Sequence, residues 1–388
     1  MSDAGSPRHG RNVSINDLFT QLLWTKLLRA PTLGLRPDRV GIAFFSLVLI
    51  GVIGSISRLW NPAKDPSTGL DLPQFPDAIF DQGSDAYIRL VEGVLDRNPD
   101  QTLHGLHDLM ALPASAFDLF PVSLFVLGIP MLFVWAIGAC AISRMVACEF
   151  SQGIDLPWTR ALGFSLGRVG SSVGGLLLPI VFIAVIVFGL MVAGLVLLRF
   201  PGLNIAGGLA YILFQIGGVL AVLLLLGYAI GKHLIIPAVA CDGADAIDAM
   251  QRAYAYVVAR PLRLLIYLAV GGVLTLVVVV ITKLVVELGL TLTTDATEMW
   301  IGESARGNLH TPEGADPPGG TWNAAGGLIL LWKAVFLLLI SAVAMSVYTS
   351  VTTVIYLLIR QVCDGQDHRE LWMPGMIGGT QASATGDR

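Results

Sequence analysis

The sequence predicts an all-α fold. We expect a polytopic membrane helix bundle of about six transmembrane helices, with two cytoplasmic interfacial helices and an N-terminal amphipathic helix. Three observations lead there. The chain has 388 residues, 54% of them apolar and only 13% charged, with a mean hydropathy of +0.72; soluble domains carry about 25% charged residues. Its apolar residues come in blocks long enough to cross a hydrocarbon core, which takes about 20 helical residues. The polar stretches between blocks alternate in sign, basic on one side and acidic on the other.

The expected elements follow in order. Residues 1–39 form a cytoplasmic segment. Residues 14–30 read as its amphipathic helix, with Ser14 as cap, a stripe of Ile15, Leu18, Phe19, Leu22 and Leu23, and Trp24, Lys26 and Arg29 suited to a headgroup layer. The first apolar run begins at Val40, too late for a secretory leader, so the span 40–56 is expected to be a retained anchor. An acidic stretch, 61–118, follows; Pro62, Pro66, Pro73 and Pro76 make its first third extended, and 84–97 and 102–112 read as short helices of a small outer cap. Further spans cover 122–142, 173–198, 206–230 with an extension to Pro237, 264–281 continuing to Leu290, and 324–359. Arg144 is expected to end the second. A second acidic outer loop covers 291–323, and 360–388 reads as a mobile cytoplasmic tail.

Orientation comes from Lys and Arg, which resist translocation. Most of the 24 lie in the N-terminal segment, the two surface-helix segments and the tail. The opposite side holds Arg58, Lys64, Arg89, Arg97, Arg199 and Arg306. Both termini are therefore expected in the cytoplasm. Of the four cysteines, Cys140, Cys148, Cys241 and Cys363, none falls on the outer face, so no disulfide framework is expected.

Between spans lie two surface segments, 153–168 and Ala246–Ala259. In the first, Trp158, Ala161, Leu162, Ser165, Leu166 and Val169 share a face; in the second, Ile247, Met250, Tyr254, Val257 and Val258 do. Slid over one another, Arg160, Ala161, Phe164 and Arg168 fall on Arg252, Ala253, Tyr256 and Arg260. Cys148 and Cys241 sit upstream, one residue out of step. The units 122–198 and 206–290 would then form a parallel repeat; chance likeness between two amphipathic helices is the plainer account. Arg160, Arg168, Arg252, Arg260 and Arg263 are the candidate contacts to lipid headgroups or a partner.

The run from Pro237 to Val257 (PAVACDGADAIDAMQRAYAYV), the RPLR beginning at Arg260, and the upstream AISRMVACE from Ala141 carry a resemblance. They resemble bacterial multi-pass membrane families of unknown function, and look like the membrane domain found beside some glycerophosphodiester phosphodiesterases. Ala253 stands where those families commonly have Ser. The resemblance implies a polytopic domain of a bacterial cytoplasmic membrane and no activity; nothing here looks like the soluble phosphodiesterase barrel.

Candidate chemistry is sparse. Lys283 and Glu287 lie on one helix face, and Lys333 enters the last span at a similar depth. Charges in spans are functional hypotheses, yet Lys283 lies about 30 Å past Arg263 at the helical rise, at the outer edge. An ion pair there, or snorkelling, is the preferred reading of this candidate membrane ion cluster; an ion path is the alternative. His104, His107, Asp100 and Asp108 cluster in the outer loop without a third firm ligand for a metal. The sequence contains no phosphate loop, nucleophile elbow or nucleic-acid module, so no catalytic residue, cofactor, metal or nucleic-acid partner is expected. Glycines four apart, such as Gly227 and Gly231, fit tight packing within the monomer or a self-association face. The expected function is a non-enzymatic scaffold or assembly subunit whose partners are the bilayer and a membrane or cytoplasmic protein. The alternative is a transporter or permease-like subunit with cytoplasmic coupling helices.

Overall fold

A computed structural model describes residues 24–60, 74–309, 320–367 and 369–372. Every regular element among them is helical. Helix α1 is Trp24–Leu27, α2 Ala30–Gly34 and α3 Pro37–Ser55, which tightens into a 3₁₀ turn over Ile56–Leu59. Helices α4 (Asp77–Leu95) and α5 (Pro99–Leu119) form an antiparallel hairpin at one end of the bundle, the cap end. Then come α6 (Pro121–Gln152), α7 (Trp158–Gly167), α8 (Val169–Leu197), α9 (Leu203–Asp242), α10 (Ala246–Ala259), α11 (Pro261–Glu298), α12 (Glu303–Leu309) and α13 (Thr321–Cys363).

Six of these, α3, α6, α8, α9, α11 and α13, are long and apolar enough to cross a membrane. Together they make the chain an integral membrane protein. Several helices overrun the spans the sequence predicts. Helix α9 has 40 residues, α11 38 and α13 43, so α9 alone is about 60 Å long against a hydrocarbon core of about 30 Å. The overrun has local causes. Residues 291–298, expected in a loop, stay helical while Thr293, Thr294 and Thr297 donate their hydroxyls to the carbonyls of Gly289, Leu290 and Thr293, at 2.7–2.9 Å. Arg144 does not end the second span: α6 runs on to Gln152 and stops at Gly153, which adopts the left-handed conformation with φ 68°. The expected helix 14–30 lies mostly outside the described residues; at its described end α1 stops at Leu27 and α2 starts anew at Ala30. The first third of the outer loop, the middle of the second loop and the tail beyond Trp372 also lie outside them.

The core sits at the end opposite the cap, beside α7 and α10, which we call the surface-helix end. Ile142, Met145, Leu234, Ile235, Val239, Val354 and Leu357 are fully buried there. Towards the cap end, α8 packs chiefly on α9 and α11 on α13, and side chains such as Phe188, Leu209, Val285 and Leu330 are exposed. Two hairpins thus rise from a shared base with their apolar flanks free for lipid. A satellite cluster of Phe75, Phe120, Leu127 and Met131 seats the cap. Ser57 Oγ donates to the Phe75 carbonyl at 3.0 Å and Trp60 Nε1 to Ser123 Oγ at 2.8 Å. Arg89 pairs with Asp108 across the α4–α5 hairpin at 2.8 Å, so Asp108 is engaged in a salt bridge.

The glycines show how close the base is packed. A Cβ on Gly271 would lie 2.5 Å from Val351 Cγ1, whereas one on Gly272 would meet nothing. Helices α11 and α13 approach through the first and face lipid through the second. Overpacking costs about 1–3 kcal/mol, so Gly271→Leu should lower the melting temperature in detergent by several degrees. Gly272→Leu should leave it within a degree or so.

Candidate functional site

The surface-helix end is built around a buried carboxylate. Asp242 closes α9 and is fully buried. Its position, at the negative end of a helix dipole and out of water, is doubly unfavourable for a charge. Three donors answer it. Tyr356 and Arg360, four apart on one face of α13, both hydrogen-bond to it. Arg252 of α10 donates from Nη1 at 3.1 Å and reaches Asp248 from Nε at 3.0 Å. Arg360 is itself fully buried, and its Nη2 donates to the carbonyls of Asp367 and Glu370 at 3.2 and 2.6 Å. Burial works against the charge of Arg252, but the hydrogen bond to Asp248 and the nearby carboxylates win and raise its pKa. On the next turn Tyr256 donates to Asp364. Its burial, aided by that carboxylate, pushes the phenol pKa well up, so it stays a neutral donor.

A second carboxylate does the same for the other side of the base. Glu149, near the end of α6, pairs with the fully buried Arg39 of α3 and with Arg36 at 2.6 Å; Arg36 also reaches Asp155 at 3.0 Å. Between the two clusters Arg144 donates to the carbonyls of Ala240 at 2.9 Å and Trp372 at 2.8 Å, and lies over the Phe164 ring. Arg168 donates to the Gly243 carbonyl at 2.8 Å and lies over the Trp372 ring. Gly243 takes φ 61°, and a Cβ there would meet the Trp372 ring at 2.5 Å; only glycine fits. The segment after α13 therefore folds back into the base as far as Leu371 and Trp372, both buried. The described part of the expected mobile tail is thus held on the base, because Arg144, Arg168 and Arg360 each bond to or stack on it; the rest of that expectation lies outside the described residues.

The structure separates the five candidate arginines. Arg160 and Arg260 are exposed and Arg263 half-buried. Arg168 and Arg252 direct their donors inward, as above. The buried face of α10 is Ala249, Ala253, Tyr256 and Val257, while Ile247 and Val258 of the expected face are exposed. Small residues let α10 lie close on α9, and Gly227 and Gly231 face Tyr254, Val257 and Ala253 within the monomer. At the other end of the molecule, Lys283 and Glu287 approach to 3.6 Å on the surface of α11. Lys333 lines a groove of about 440 Å³ with Glu287 and Asp295, and a larger one of about 780 Å³ with Thr293, Thr297 and Glu298.

Sequence reasoning missed Asp242, Glu149, Arg39, Arg144, Tyr356 and Arg360 as a set. A signal was present: each span that runs from the cap end to the surface-helix end carries a cysteine followed by an acid near its end, Cys148 with Glu149, Cys241 with Asp242 and Cys363 with Asp364. It also missed a small polar cavity where α6, α9 and α13 meet. Lys232, His233, Ser143, Tyr348, Thr349 and Thr352 line it; its volume is about 20 Å³, and His233 is hydrogen-bonded to Tyr348. A site of that size holds about one water. Beside α7, Trp158, Leu162 and Leu166 line an apolar groove of about 690 Å³ with α3 and α6. The four cysteines are free, and among the described residues no group of three or more His, Cys, Asp or Glu side chains could hold a metal ion.

No known protein family, curated protein or solved structure matches the chain.

The two acids of the Arg36 network differ in a testable way. Glu149 faces a fully buried arginine, whereas Asp155 is 67% exposed. Losing one partner of a buried pair costs about 3–5 kcal/mol; an exposed pair is worth about 0–1 kcal/mol. Glu149→Gln should therefore sharply lower thermal stability in detergent, and Asp155→Asn should barely change it.

Proposed function

We propose that this chain is a non-enzymatic membrane scaffold or assembly subunit. One observation carries the reading: both surface helices are bolted to the base. Helix α10 is held by Arg252 on Asp242 and by Tyr256 on Asp364. Helix α7 is held by Ser165 Oγ, which donates to the Ile137 carbonyl at 2.6 Å, and by Phe164 under Arg144. A fixed platform presents Arg160, Arg260, Trp158, Ile247 and Val258 outward. Cations beside exposed apolar side chains suit lipid headgroups and a docked protein. We place this platform on the cytoplasmic face of a bacterial inner membrane, supported by the distribution of basic residues and by the resemblance noted above. Glu149 and Asp242, each taking a buried arginine from a span outside the units 122–198 and 206–290, support an internal parallel repeat.

Mild-detergent extraction of the tagged chain tests this. A stoichiometric partner should co-purify and be lost when Arg160 and Arg260 are both changed to Glu; a lone protein in native extracts would contradict the scaffold role. Cysteine placed at Gln251 should resist an impermeant thiol reagent in intact cells, and labelling there would reverse the orientation.

A second reading, a transporter or permease-like subunit, is favoured by the cavity holding Lys232 and His233 within the spans, since polar groups at such depth mark ion or substrate paths. The two readings part over water. A cysteine at Lys232 that reacts with impermeant reagents, and is protected by a solute, would replace the scaffold by a transporter; an unreactive one supports the scaffold.

A further inference from the structure

The groove between α3, α6 and α7 has the dimensions and chemistry of a phospholipid seat. Its α3 wall is Asp38, Gly41, Ile42, Phe45, Ser46 and Leu49, the positions that recur on one face of a helix. From Asp38 to Leu49 that wall runs about 16 Å at the helical rise, about half of a 30 Å hydrocarbon core. It therefore starts at a membrane interface and ends near the midplane, the reach of one acyl chain. The width comes from Gly41, where a side chain would meet open space. Trp158, 54% exposed, stands on the α7 wall, and tryptophan prefers the headgroup level. Ser46 is the only other polar side chain lining the groove, and its hydroxyl donates to the Ile42 carbonyl, so the deep part presents an apolar surface.

Within a bilayer such a groove is filled. Water has no free partners on its deep walls, and hydrocarbon is the surrounding medium. The occupant is therefore a lipid chain, and the headgroup chemistry is set at the mouth. Asp38 is the only charged residue on the lining, and among the described residues no cation pairs with it. The neighbouring Arg36 and Arg39 are engaged by Glu149 and Asp155. A carboxylate at the mouth accepts from a primary ammonium and repels a phosphate that lacks one. We propose that this groove is a binding site for an aminophospholipid of the phosphatidylethanolamine class, its chain along α3 and its ammonium donating to Asp38.

The test compares two zwitterionic probes that differ only in the ammonium, with an anionic lipid as the third. Purified protein is incorporated into nanodiscs of dioleoyl phosphatidylethanolamine, phosphatidylcholine and phosphatidylglycerol in equal amounts, and retained lipid is read by native mass spectrometry. Phosphatidylethanolamine should be retained over phosphatidylcholine by roughly tenfold, the scale of one charge-assisted hydrogen bond, because the methylated headgroup has no N–H to donate. Asp38→Asn should abolish that preference while keeping a bound lipid. Gly41→Leu should displace the lipid altogether. Equal retention of the two zwitterionic lipids, a preference for phosphatidylglycerol, an unchanged preference in Asp38→Asn, or no lipid on the wild-type protein would each overturn the proposal. If either variant fails to fold, the wild-type comparison decides alone.

Discussion

The fully buried carboxylate of Asp242 is the constraint on which the rest depends. A charge in that position is tolerable only when hydrogen-bonded and paired. Its requirement brings α13 against α9 through Tyr356 and Arg360, and α10 beneath both through Arg252. Arg360 then has donors left over, and they capture the chain after α13 through the Asp367 and Glu370 carbonyls. Those captures bring Trp372 within reach of Arg144 and Arg168. One buried acid thus ties α9 and α10 to α13 and the segment after it, across the 118 residues between Asp242 and Arg360, and Glu149 with Arg39 repeats the device on the opposite flank.

This arrangement explains why the core is one-ended. In a membrane the flanks of a helix gain little from burial against another apolar helix, since lipid is as good a neighbour. Polar pairs, by contrast, strongly favour protein over lipid. Among the described residues, the strong polar pairs other than those of the cap and the cap-side ends of α11 and α13 lie at the surface-helix end. Helices α8, α9, α11 and α13 therefore converge there and separate towards the cap. The separation leaves lipid-facing grooves, while the convergence makes a platform. The scaffold role we propose rests on that division, with docking and headgroup contact assigned to the base and lipid solvation to the hairpins.

Much of the architecture was legible in the sequence. Six apolar blocks follow from length and periodicity, because hydrocarbon imposes both; helices were also expected near α7, α10, α4 and α5, the last two shorter, at 84–97 and 102–112, than they are. The ends of the helices were less legible. Thr293, Thr294 and Thr297 read as loop formers, yet each donates to its own helix and extends it. The site was least legible. Arg144 and Arg168 look like residues that stop a span at the headgroups; whether such an arginine is solvated or paired depends on Trp372, more than two hundred residues away from Arg144. No local pattern carries that information. The side of α10 that packs on the bundle was not legible either: it includes Ala249 and Ala253, whose value lies in close approach rather than hydrophobicity.

The most direct measurement is a double-mutant cycle on Asp242 and Arg360, read as thermal unfolding in detergent. Asp242→Asn and Arg360→Met should each destabilise strongly, since the first leaves Arg360 buried without its carboxylate and the second leaves Asp242 with Arg252 as its one remaining cation. The double variant should recover a large part of the loss, a coupling of up to about 3 kcal/mol between residues in contact. Losses that simply add would mean the pair is not the clasp of the bundle, and the account built on it would fall.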